Sequence, residues 1–225
     1  MELMLDTADL KKIEQAVDYY PVSGLTTNPS IIKAEGKIDF YEHLRAIRKI
    51  LGTDRSLHVQ VISADCAGIL REAEAIRSKV DDKVYIKTPV SREGLKAIGI
   101  MVREGFNVTA TAIYTTMQGE LAAMAGAKYL ALYYNRMLNL DIDADKVFRQ
   151  TADAIRADGR DCRIVGASFK NVAQLTAAIA DGAQAITVPP ELLDTALAHP
   201  SIDLAVENFR KDWISVYGDR TPADL

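Results

Sequence analysis

Eight short runs with strand character alternate with stretches of helical spacing, and this alternation restricts the fold more than any other feature of the chain. The runs are ELMLD at 2–6, GLTTN at 24–28, LHVQVI at 57–62, VYIKT at 84–88, NVTATAI at 107–113, YLALYY at 129–134, RIVGAS at 163–168 and AITV at 185–188. Between them, apolar residues recur at helical intervals, as in Ile69, Leu70, Ala73, Ile76 and Val80, or Val172, Leu175, Ala178 and Ile179. Parallel strands need helical crossovers, and eight βα units can close on themselves, so the expected fold is an α/β, single-domain (β/α)8 TIM barrel. An open, doubly wound sheet is the competing arrangement. It would normally carry a glycine-rich first turn, yet the 13 glycines form neither G-x-G-x-x-G nor G-x-x-x-x-G-K-[ST]. No linker-like segment divides the chain, so the barrel is expected over 1–203. Residues 204–225 are expected to form an additional C-terminal helix and tail of the same domain, with Phe209, Trp213 and Tyr217 available for contact between subunits.

Composition narrows the function by exclusion. With 225 residues, 48% of them hydrophobic, the chain can bury a barrel-sized core. A formal charge of −4 without a basic stripe argues against a nucleic-acid partner. No stretch has the length or apolarity of a signal peptide or membrane span, so a cytoplasmic location without membrane attachment is expected. Cys66 and Cys162 stand far apart, and His43, His58 and His199 lack metal-ligand spacing, so neither a disulfide nor a metal is implied.

Side chains alternate across a strand, so one parity faces the helices and the other faces the barrel interior. Assigning the aliphatic parity to the helices sends Val84 and Ile86 outward, and Tyr85 and Lys87 inward. The same rule sends Leu57, Val59 and Val61 outward, with His58 and Gln60 inside. In strand seven it opposes Val165 and Ala167 to an inward Gly166 and Ser168. Strands one to seven then each offer one inward polar group near the C-terminal end: Asp6, Asn28, Gln60, Lys87, Thr111, Tyr133 and Ser168. Strand eight contributes at most Thr187. Barrel active sites lie at that end. Seven converging polar groups exceed what structural hydrogen bonding asks for, and a lysine partly desolvated among them can supply an amine nucleophile for carbonyl substrates.

These residues resemble the transaldolase family, and within it the small bacterial members of fructose-6-phosphate aldolase type. The likeness runs through LDTAD at 5–9, GLTTNPSII at 24–32, VQV at 59–61 and VYIKTPVSREGLKAI at 84–98. It continues through TAIYTTMQG at 111–119, YYNR at 133–136, GASFKN at 166–171 and FRKDW at 209–213. The resemblance implies a class I aldolase without a metal or other cofactor, in which Lys87 forms a Schiff base with a ketone. It implies further that Asp6 contacts substrate hydroxyls and assists proton transfer beside the lysine, that Asn28 and Ser168 hold the dihydroxyacetone portion, and that Thr26 is a further substrate-binding residue. Gln60, Thr111 and Tyr133 would position a catalytic water, with the Tyr133 phenol as acid and base. Arg136 and Lys170, following strands six and seven, would reach a substrate phosphate. Transaldolases typically carry glutamate at the position of Gln60 and phenylalanine at that of Tyr133, so both positions follow the aldolase pattern. The expected reaction is reversible cleavage of fructose 6-phosphate to dihydroxyacetone and glyceraldehyde 3-phosphate. A transaldolase and a non-catalytic sugar-phosphate-binding barrel are the alternatives. The expected partners are a sugar-phosphate or ketone substrate and further copies of the chain, since the family suggests a pentamer or decamer.

Overall fold

The computed structural model describes residues 1–225. Eight parallel strands close into a barrel in the order β1 to β8, with β8 pairing back onto β1. They are β1 (Glu2–Asp6), β2 (Val22–Thr26), β3 (Ser56–Gln60), β4 (Tyr85–Pro89), β5 (Asn107–Ile113), β6 (Tyr129–Tyr133), β7 (Arg163–Ala167) and β8 (Ala185–Val188). The helices around them are α1 (Leu10–Tyr19), α2 (Pro29–Ala34), α3 (Phe40–Leu51), α4 (Cys66–Lys79), α5 (Arg92–Arg103) and α6 (Thr116–Met124). They continue with α7 (Tyr134–Leu138), α8 (Ala144–Asp158), α9 (Val172–Ala180) and α10 (Pro190–Leu197). Helix starts are written into the sequence as side-chain caps: Asp9, Asn28, Asp39, Asp65, Ser91, Thr115, Asp143 and Asn171 each accept hydrogen bonds from backbone N–H groups of the first turn.

The chain divides into two compact units, Met1–Pro190 and Glu191–Leu225. The second contains α11 (Pro200–Tyr217), which starts before the expected residue 204 because His199 caps it and Pro200 opens its first turn. Within this unit Trp213 Nε1 donates to the Arg220 carbonyl at 2.7 Å, and the Trp213 and Tyr217 rings lie 4.5 Å apart. No helix is long and apolar enough to cross a membrane.

The barrel interior is layered. Near the N-terminal ends of the strands, the His58 ring stacks on Tyr85 at 4.6 Å, and Tyr129 meets both edge-on at 5.1 and 5.2 Å. Met4, Ala131, Val165 and Ala185 belong to the same buried interior cluster as Tyr129, and Tyr85 packs against it. The inward parity therefore holds for β1, β3, β4, β5 and β6. It fails in β7. There Val165 and Ala167 face the interior, and Gly166 backs onto Phe169 and Phe148, whose rings would lie 2.7 and 3.4 Å from any Cβ at that position.

Lys87 is the third of the five residues of β4, deeper than the strand-end position expected. The strand runs on through Pro89 because β3 pairs with it only as far as Lys87, while β5 continues to pair opposite Pro89. The missing proline N–H thus falls where no ladder bond from β3 is required. Helix α5 packs close to this strand end at Gly94, where a Cβ would sit 2.0 Å from the Pro89 carbonyl oxygen. That overlap is with backbone and can be relieved only by moving α5 or the end of β4. Gly94→Ala is expected to lower stability by about 3 kcal/mol in urea denaturation.

Candidate active site

The C-terminal end of the barrel gathers most of the expected polar groups. Asp6 ends β1 and Thr26 ends β2; the Thr26 hydroxyl donates to Asp6 Oδ1 at 2.7 Å and lies 2.7 Å from the Thr187 hydroxyl of β8. Lys87 is 2% exposed, and its ammonium makes one long hydrogen bond, to the Thr27 carbonyl oxygen at 3.4 Å. Burial raises the Asp6 pKa above the ordinary carboxylate value, against the opposing pull of the Lys87 charge, the Thr26 hydrogen bond and the Arg136 charge. Asp6 is thereby a carboxyl group close to a lysine and able to hold or release a proton.

A second pair stands across the barrel. The Thr111 hydroxyl and the Tyr133 phenol are 2.8 Å apart and both are buried. Tyr114 meets the Tyr133 ring edge-on at 5.7 Å, and the Arg136 guanidinium lies 4.6 Å from its centroid. Ala112, directly after Thr111, has a left-handed backbone (φ 59°), and the β5–β6 register shifts between Ala110 and Ile113. This bulge follows the threonine that meets the phenol. Gln60 ends β3, in register with Lys87 on β4, and its Oε1 is buried without a partner in the chain. Such an acceptor calls for a water or a ligand donor.

Two expected residues, Asn28 and Ser168, are placed differently, while Lys170 follows β7 as expected. Asn28 is not an inward strand residue: β2 stops at Thr26, and the Asn28 Oδ1 caps α2 by accepting from the N–H groups of Ser30 and Ile31 at 2.9 and 3.1 Å. Its amide nitrogen is left for other partners. Ser168 lies beyond β7 with φ 65°, so strand alternation no longer governs where it points. Lys170 is exposed in the turn before α9. Sequence reasoning missed Thr187 as an Asp6-linked hydroxyl and the polar layer beneath Lys87. In that layer His58 Nδ1 lies 2.7 Å from the Thr109 hydroxyl and Nε2 lies 2.9 Å from the Ser56 hydroxyl. The only signal was a histidine of inward parity.

Burial, followed by the charges of Lys87 and Arg48, pushes the His58 pKa down from 6.5 to about 3. An unfolded chain takes up this proton below about pH 6.5, so the stability contributed by neutral His58 is complete above that pH and is lost as the pH falls towards 3. Asp6 acts in the opposite sense: its raised pKa contributes stability below its ordinary value of 3.8, which is lost as the pH rises. The two partly cancel at the acid end. Between about pH 6.5 and 5 the His58 slope should approach about 1.4 kcal/mol per pH unit. His58→Phe is expected to flatten this limb in urea denaturation at stepped pH, whatever it costs at neutral pH.

The assembled rim holds a buried lysine beside a carboxyl group whose pKa burial raises, a threonine–tyrosine pair, an unpaired amide oxygen and an arginine at the edge. A model of the transaldolase/fructose-6-phosphate aldolase family matches residues 3–219. A curated protein of Streptococcus pneumoniae (strain ATCC 700669 / Spain 23F-1), described as a probable fructose-6-phosphate aldolase, is 48% identical over 221 residues, covering 98% of this chain and 100% of that relative. With these matches spanning nearly its whole length, the chain belongs to the transaldolase/fructose-6-phosphate aldolase family.

Proposed function

We propose that this protein is a lyase, a class I aldolase that reversibly cleaves fructose 6-phosphate to dihydroxyacetone and glyceraldehyde 3-phosphate. The observation that carries the reading is the seclusion of the Lys87 amine, with one long hydrogen bond, beside Asp6 at the C-terminal end of the barrel. In this reading the Lys87 amine attacks the C2 ketone, and loss of water gives a protonated imine. Its positive nitrogen accepts the electron pair released when the C3–C4 bond breaks. Asp6, held by the Thr26 hydroxyl that in turn meets the Thr187 hydroxyl, exchanges protons during imine formation and hydrolysis. Tyr133, held by Thr111, relays the C4 hydroxyl proton as the C3–C4 bond breaks, passing its own phenol proton to a water that also meets the Gln60 amide oxygen. C3 of the resulting enamine takes up that proton before the imine is hydrolysed. Thr26 then acts on the substrate through Asp6, while the Asn28 amide nitrogen and the Ser168 hydroxyl hold the dihydroxyacetone hydroxyls. Arg136 and Lys170 bind the phosphate.

Incubation with fructose 6-phosphate and no acceptor aldehyde tests the assignment. Steady release of glyceraldehyde 3-phosphate is expected; release that stops at one equivalent and resumes with erythrose 4-phosphate would make the protein a transaldolase. Tyr133 and Gln60 favour the aldolase. We also propose a cytoplasmic homo-oligomer, a pentamer or decamer, in which the barrel and the terminal segment belong to one domain. Free Cys66 and Cys162 support a reducing location. Exposed Ile202, Leu204, Val206, Phe209, Ile214 and Val216 on α11 support burial of that helix against another copy. Light scattering should then give a multiple of the chain mass, and a monomeric wild type would refute the assembly.

A further inference from the structure

We infer that Gln174 is a positioning residue that fixes the separation of the two phosphate-binding cations, Arg136 and Lys170; the inference rests on the phosphate role given to that pair above. The two residues follow adjacent strands, Arg136 in α7 after β6 and Lys170 in the turn after β7. Both side chains are exposed, long and free of ion pairs with a carboxylate. Two such cations grip a dianion in one geometry only if the backbone segments that carry them keep a set distance, because the side chains themselves lose rotamer freedom on binding.

Gln174 supplies that constraint. Its Oε1 accepts from the backbone N–H of Lys170 at 2.8 Å, and its Nε2 donates to the side-chain Oδ1 of Asn135, the neighbour of Arg136, at 3.0 Å. Its own backbone N–H donates at 3.0 Å to Oδ1 of Asn171, which caps α9, so the side chain projects from an ordered first turn. A parallel link runs from the Asn135 N–H to the Ser168 carbonyl oxygen at 3.2 Å. Gln118 and Glu72 brace only the loop at the start of their own helix, where Gln118 accepts from Tyr114 and Thr115 and Glu72 from Ile62 and Ser63, whereas Glu93 of α5 reaches the neighbouring unit by accepting from the Cys66 N–H at 3.1 Å. Gln174 goes further, because its one amide bonds both neighbouring segments and those segments carry the two cations. An amide also makes this link without a charge, whereas a carboxylate there would compete with the phosphate for both cations.

The test compares aldol addition of dihydroxyacetone to glyceraldehyde 3-phosphate and to glyceraldehyde, which lacks the phosphate. Gln174→Met keeps side-chain length and helix propensity while removing both hydrogen bonds. It is expected to raise KM for glyceraldehyde 3-phosphate about tenfold with kcat within about twofold, and to leave the glyceraldehyde reaction unchanged. Asn135→Ala should do the same, and the double variant should be no worse than either single one. Arg136→Ala is the control for the underlying reading and should also raise KM for the phosphorylated aldehyde selectively. If Arg136→Ala shifts that KM and Gln174→Met does not, or if Gln174→Met impairs both aldehydes alike, the positioning role is overturned while the phosphate assignment stands. If Arg136→Ala has no selective effect, the phosphate assignment fails and the inference falls with it.

Discussion

Lys87→Met is expected to lower turnover of fructose 6-phosphate by about 10⁴-fold or more, since removal of a covalent nucleophile leaves only binding and orientation to act on the reaction. Methionine keeps an unbranched stem in a position that is 2% exposed, so loss of activity should not arise from an unfilled core. Circular dichroism should report a folded barrel. Borohydride reduction in the presence of dihydroxyacetone gives a second, independent result. In the wild type, the peptide containing Lys87 should gain the reduced three-carbon adduct, and in Lys87→Met no peptide should. An adduct on another lysine, or a variant retaining more than about one hundredth of wild-type turnover, would sink the Schiff-base assignment. Absence of any adduct in an active wild type would do the same. An inactive wild type that binds sugar phosphates without forming the adduct would leave a non-catalytic barrel.

Much of this site could be read from strand parity, and the places where the rule failed have definite physical causes. It worked for Lys87 because Val84 and Ile86 are both large and aliphatic while Tyr85 and Lys87 are not, so only one assignment satisfies a helix-packed outer face. In β7 the two parities offer Val165 and Ala167 against Gly166. Ile164 shares the parity of Gly166, so each face carries one branched aliphatic and one small residue, and aliphatic character alone does not choose between them. The choice falls to the Phe169 and Phe148 pair outside the barrel, which fills the space a side chain at Gly166 would take. Asn28 carried a readable signal of another kind: an asparagine before proline is a helix start, and the expected strand ran two residues past its true end. The His58, Thr109 and Ser56 network and the Gln174 bridge were not legible. They depend on contacts between different βα units, His58 of β3 with Thr109 of β5 and Gln174 of α9 with Asn135 of α7, and no local periodicity reports which units meet.

Tyr133→Phe separates imine chemistry from the proton transfers that complete the reaction. It is expected to reduce kcat for cleavage by about 10² to 10⁴-fold, the range associated with loss of a positioned acid or base. In the proposed mechanism the imine depends on Lys87 and Asp6 across the barrel, so borohydride trapping of dihydroxyacetone should persist in the variant. The substitution also strands the buried Thr111 hydroxyl, which now pairs with the phenol at 2.8 Å, at a cost of about 1 to 3 kcal/mol in stability. Pairing it with Thr111→Val removes the stranded group. The double variant should regain stability but no activity, and that combination distinguishes a catalytic phenol from an aromatic ring that merely fills the barrel mouth. Thr111→Val alone should cost less than Tyr133→Phe, because the phenol remains and loses only its anchor. If Tyr133→Phe cleaves fructose 6-phosphate within about twofold of wild type, the acid–base role passes to Asp6 or to a water held by Gln60. The Tyr133 ring would then be left to its contacts with Arg136 and Tyr114.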